Sequence, residues 1–142
     1  MTTRSERHKA IARAVFDVWN TGALDLLDEL VSVDVVHHDP LDPTAADGLG
    51  GMKRTIAAVR RRFPAVHLTV EDQLADGDRV ATRWIGQLAD GHRVSGITID
   101  RYENHKIVEA WRAIVALRAD PWVMVGRVGV GSGRLGRGGT GR

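Results

Sequence analysis

An α+β domain, with about three helices in its N-terminal half and a curved antiparallel sheet wrapped over them, is what this sequence predicts, on three observations. Apolar residues recur at helical spacing in the first 63 residues, interrupted by one β-branched run. From Val66 onward they alternate with polar residues in four runs separated by turn residues. In the last of these runs both sets of alternate positions hold large apolar groups, so that strand should be central and covered on both sides.

Taken in order, Ile11, Ala14, Val15, Val18 and Trp19 share one face of a helix running from about Arg4 to Asn20. Asn20-Thr21-Gly22 stops it, glycine being the residue that best accepts the left-handed conformation past a helix end. Ala23 to Val31 reads as a short second helix, and Val33 to Asp39 as a strand, since Pro40 forces Asp39 to be extended. Residues 40–51 form a loop rich in turn residues. A third helix follows from Met52 to Phe63, closed by Pro64, with Arg60, Arg61 and Arg62 in its last turn as a solvated face favourable to the helix dipole. The strands Val66–Leu74, Arg79–Leu88, Arg93–Glu103 and Lys106–Leu117 make an antiparallel meander. Its final hairpin turns on Asn104-His105, two residues that tolerate positive φ.

On the last strand Ile107, Glu109, Trp111, Ala113 and Val115 share one face, assigned to the interior, and Val108, Ala110, Arg112 and Ile114 the other. Trp84 on the second meander strand is assigned to the same interior as Trp111. A sheet curved over helices encloses a pocket, and two indoles on its wall would suit a flat, apolar ligand.

The chain of 142 residues, 43% hydrophobic, fits one domain over residues 1–125 followed by a Gly/Arg-rich tail over 126–142. The tail holds eight glycines, four arginines and no acid, and is read as flexible. It accounts for the net charge of +2, because the remainder has 16 basic against 18 acidic residues. A basic nucleic-acid surface is thus not expected of the domain. The absence of cysteine excludes disulfides, thiolate metal sites and a cysteine nucleophile. With no apolar leader or membrane-length run, the expectation is a cytoplasmic protein with no membrane partner.

Four segments in order, His37-His38-Asp39-Pro40, Phe63 to Asp72, Gly77 to Trp84 and Lys106 to Trp111, resemble the SnoaL-like polyketide cyclase family of the nuclear transport factor 2-like superfamily. The resemblance spans roughly residues 8–125. It implies an α+β cone, a homodimer through the open sheet face, and a hydrophobic small-molecule substrate. It also implies ring closure or related enolate chemistry without cofactor or metal. Such chemistry needs a base to remove an acidic proton and a donor to steady the enolate. The family's acid/base aspartate commonly follows the tryptophan of the last strand, where this chain has Arg112, Ala113, Ile114 and Val115. The epoxide-hydrolase pattern also fails, its carboxylate and arginine places being held by Trp84, Gly86 and Ala113. The turn between Gly86 and Val94 is shorter than in relatives, leaving a more open pocket or one closed by the 40–51 loop.

The candidate catalytic residues are therefore His37, His38 and Asp39, at a strand end beside a long loop. Alternation puts His37 and Asp39 on one face and His38 on the other, so only one subset can face the pocket. A histidine is the side chain most easily poised as a base near neutrality, with Asp39 to orient it; the structural alternative is a turn cap and a strand-holding hydrogen bond. Trp84, Trp111, Tyr102 and Arg101 are the candidate substrate-binding residues. Core packing would also account for the tryptophans and the tyrosine, and surface ion pairs for Arg101 and Glu109. The leading expectation is a cofactor-independent cyclase-like enzyme. The alternative is a binding or dimerisation module that has lost its acid/base residue.

Overall fold

The computed structural model describes residues 1–39, 48–89 and 91–117. The tail expected over 126–142, and most of the expected loop, lie outside them. Helix α1 spans Arg4–Thr21. Its start is a reciprocal cap: the Glu6 amide donates to Thr3 Oγ1 and the Thr3 amide to Glu6 Oε2, both at 3.0 Å. Its end is Gly22, at φ 79°. A 3₁₀ turn at Leu24–Leu26 leads into α2, Leu27–Leu30, and then β1, Val31–His38. Helix α3 runs Gly48–Arg62, four residues longer at its start than its apolar spacing suggests. Burial of Leu49, Gly51 and Met52 against the core outweighs the poor helix propensity of a glycine-rich first turn.

The meander is β2 His67–Asp76, β3 Arg79–Ala89, β4 His92–Glu103 and β5 Lys106–Leu117. Asn104 and His105, at φ 50° and 61°, form the tight hairpin turn between β4 and β5. β1 adds itself parallel to β5, giving a five-stranded sheet in the order β1-β5-β4-β3-β2. The two edge strands never meet, so the sheet stays open. Register shifts interrupt every strand pair. Extra residues of this kind bend a strand and raise its local twist, which curls one face around α1 and α3. The core between them includes Ala12, Val18, Leu27, Ile56 and Val80, each 0–1% exposed.

Two side chains lock the helices to this sheet. Asn20 pairs with the backbone of Leu68 on β2, donating to its carbonyl at 2.9 Å and accepting from its amide at 2.7 Å. Arg60 of α3 is half-buried and donates to the carbonyls of Trp19 and Asn20 at 2.8 Å. It therefore caps the C-terminal end of α1 instead of lying in solvent.

One shift corrects the sequence reading. Arg101 faces Glu109 while Tyr102 faces Ile107, so Val108 is an extra residue in β5. The bulge inverts the alternation: Ile107 points inward, and beyond the bulge Ala110, Arg112 and Ile114 do so in place of Glu109, Trp111 and Ala113. Trp84 and Trp111 consequently lie on opposite faces of the sheet. No helix among the described residues is long and apolar enough to cross a membrane.

Candidate functional site

Between the concave face and the helices lies a cavity of about 190 Å³. α1 contributes Val15, Phe16 and Trp19, α3 contributes Met52 and Val59, the connection before β2 contributes Val66, and the sheet contributes the rest of the wall. Four polar side chains interrupt this apolar lining: His37, Thr98, Asp100 and Arg112.

Their placement follows from the register. His37 on β1 faces Ala110 on β5, and Ala110 faces Asp100 on β4. The three form a row across the sheet, with the alanine at the middle position between the histidine and the aspartate. At the ordinary strand spacing the outer two Cα atoms stand roughly 10 Å apart. One step along lies the row Arg112, Thr98, Thr82, and one further the row Ile114, Gly96, Trp84.

Asp100 is 6% exposed, and its burial pushes its pKa up to about 7 against a weaker opposing pull from the Arg112 guanidinium. Near neutral pH it is shared between a charged and a neutral form. Arg112 is itself engaged: its Nη1 lies 3.5 Å from Asp39 Oδ2, and its guanidinium sits 5.1 Å over the ring of Trp19. The Asp39 side chain is 7% exposed, so this ion pair is enclosed and ties the end of β1 to β5. His37 reaches the cavity with its Nε2 buried.

The remaining sequence candidates stand elsewhere. His38 projects from the outer face, where its Nε2 lies 2.7 Å from Glu109 Oε2 and its ring stacks on Trp111 at 5.2 Å. Trp111 is on that same outer face, under the guanidinium of Arg79 at 5.0 Å. Arg101 donates to Glu109 and Glu103, each at 3.1 Å, as its surface-pairing alternative anticipates. Tyr102 is buried, but it stacks on His8 at 4.1 Å and its hydroxyl donates to the His8 carbonyl at 2.9 Å, away from the cavity lining. Asp100 and Arg112 are the site residues that the sequence reading missed. A signal was present: Ile97 and Ile99 occupy the alternate positions to Thr98 and Asp100, so in the middle of β4 the apolar pair faces outward and the polar pair faces the cavity. Among the described residues no group of three or more His, Asp or Glu is placed to hold a metal ion.

The chain matches the SnoaL-like polyketide cyclase family over residues 9–117. A comparison with curated proteins found no match. Similar solved structures include a proposed polyketide cyclase from Bacillus cereus, 26% identical, with a TM-score of 0.68 over 77% of this chain and 74% of that one. An NTF2-like protein of unknown function from Mesorhizobium loti is 26% identical, with a TM-score of 0.65 over 81% and 96% of the two chains. A proposed ketosteroid isomerase from Kribbella flavida is 24% identical, with a TM-score of 0.66 over 84% and 85%, and speaks to the fold alone.

Proposed function

The chain belongs to the SnoaL-like polyketide cyclase family, and from that premise we propose that it enolises a ketone-bearing, largely apolar small molecule in its cavity, with ring closure as the outcome. The observation that carries this reading is the row His37, Ala110, Asp100, which sets a base and an acid on either side of a gap inside the cavity. His37 removes a proton from the carbon next to a ligand carbonyl, and the C–H electron pair becomes the enolate double bond. The enolate oxygen faces Asp100, whose neutral carboxyl donates a hydrogen bond to it; burial is what keeps such a donor protonated near pH 7. The enolate carbon then attacks a second carbonyl of the same ligand and forms the new C–C bond. The proton held by His37 passes to the resulting alkoxide, so acid and base return to their starting states.

On this reading the acid/base carboxylate stands on β4, at Asp100, while Arg112 occupies the place after Trp111 where relatives commonly have it. Arg112 and Asp39 act as a fixed ion pair that holds the base-bearing strand against β5. Trp84, Phe16 and Trp19 supply the apolar walls.

The test needs no knowledge of the natural substrate. Deuterium exchange at the α-carbon of simple aryl ketones, followed by NMR in D₂O, should be accelerated by the protein and slowed by about 100-fold or more in His37→Ala and Asp100→Asn. A protein that is thermally stabilised by such ketones yet exchanges no proton would instead be a binder that has lost its chemistry.

We also propose that a second copy of the chain covers the outer sheet face, where Ile97, Ile99 and Val115 are 48%, 36% and 60% exposed beside Trp111. Light scattering on the purified protein should give a dimer, and Ile97→Lys should give a folded monomer. A monomeric wild type, or a dimer unaffected by Ile97→Lys, would remove this assignment.

A further inference from the structure

A tryptophan on a strand ordinarily stands up from the sheet. Trp84 does not. Its register partner on β4 is Gly96, and a Cβ placed there would fall 2.3 Å from the indole Cζ2 and 2.6 Å from Cε2, far inside contact distance. The ring therefore passes directly over the glycine. Gly86, two residues along the same strand, leaves room beside it, a Cβ there reaching the indole Cζ3 at 3.5 Å. Thr98 holds the other end, its Oγ1 accepting from Trp84 Nε1 at 3.0 Å. Phe16 leans on the ring from α1 at 6.0 Å with a tilt of 51°.

A flat indole is a floor, whereas a standing one would be a plug. We propose that Gly96 and Thr98, acting through Trp84, set the depth of the cavity, and that they thereby limit the number of fused rings an uncharged, planar ketone can carry and still bind. Gly96 and Thr98 are positioning residues here, and Trp84 is the surface the ligand meets. The proposal rests on the cavity being the ligand site, as read above, and extends it from the chemistry to the size of the ligand.

The experiment is a ladder of uncharged ketones, acetophenone, 1-tetralone and anthrone, titrated calorimetrically into the full chain and its variants. Gly96→Ala lifts the indole into the cavity and should weaken the largest ketone that the wild type binds by about tenfold, while acetophenone changes less than about twofold. Trp84→Leu lowers the floor and should strengthen anthrone by about tenfold. With Trp84→Leu already in place, Gly96→Ala should not shift the size limit further, because the ring it displaces is gone and its remaining close contact, the Ala113 carbonyl at 3.0 Å, is backbone and not the cavity floor. Should Gly96→Ala alone fail to fold, Trp84→Leu and the double variant still carry the comparison. Equal weakening of every ketone by Gly96→Ala, or an unchanged size limit in Trp84→Leu, would overturn the proposal while leaving the enolate chemistry standing. Shifted limits with no α-proton exchange would do the reverse. Binding of no ketone to the wild type would remove both.

Discussion

The two faces of the sheet carry almost the same side chains. Inside are His37, Asp100, Arg112 and Trp84; outside are His38, Glu109, Arg101 and Trp111. Outside, each charge is answered: Glu109 receives His38 at 2.7 Å and Arg101 at 3.1 Å, and the hydrogen bond from His38, then that from Arg101, holds its pKa below the usual carboxylate range. Inside, Asp100 stands two strands from His37, with Ala110 of β5 between them in the row, and its carboxyl is pushed up instead of down by burial. Residue type therefore does not distinguish a reactive group from a surface ion pair. Enclosure and spacing do, because desolvation disfavours the charged carboxylate and two strand widths keep the two groups from cancelling each other.

The sharpest way to break this contrast is kinetic. His37→Ala and Asp100→Asn are expected to lose about 100-fold or more in α-proton exchange, whereas His38→Ala and Glu109→Gln should change it by less than about twofold. Equal losses on both faces would mean that the inner set is not the machinery.

Next in size is a difference in pH-dependent stability. Asp100 titrates near 7 when folded and near 3.8 in the unfolded reference, so its burial costs nothing below that lower value and progressively more as pH rises toward the upper one. Replacing it by a neutral amide removes the cost. Asp100→Asn should therefore be more stable than wild type at pH 8, by on the order of 4 kcal/mol at most, and nearly unchanged at pH 4. Denaturant titrations at the two pH values would show it; a constant difference would contradict the assignment. The smallest expected effect is outside, where Glu109→Gln should leave the midpoint of denaturant unfolding nearly unchanged, and more nearly so in high salt, because exposed ion pairs are screened.

Much of this architecture was legible in the chain. Helical and alternating periodicities gave the order of elements, and Asn104-His105 gave the hairpin, because each signal is carried by neighbouring residues of a single segment. The phase of β5 was not legible. Lys106-Ile107-Val108 is an ordinary β-branched run, and the bulge at Val108 is defined by which residue of β4 it faces, a pairing no single strand encodes. Anchoring the alternation on Ile107 therefore sent Trp111 inward and Arg112 outward. Asp100 was obscure for a different reason: a carboxylate on a strand suggests a solvated face, and only the neighbouring Ile97 and Ile99, left exposed, reveal that the usual polarity of the sheet is inverted there. His37 and Trp84 were recognisable as candidates, but choosing His37 over His38 required knowing which side the helices cover.

The titration of Asp100 has a consequence for what a sample of this protein contains. With a midpoint of about 7, a neutral solution holds two molecular species, one with a proton on that carboxyl and one without. Their cavities differ by a full charge at the same place. A ligand that accepts a hydrogen bond selects the first species and draws the second across, so its binding at neutral pH takes up a fraction of a proton from the buffer, and calorimetric enthalpies will vary with the buffer's own ionisation heat.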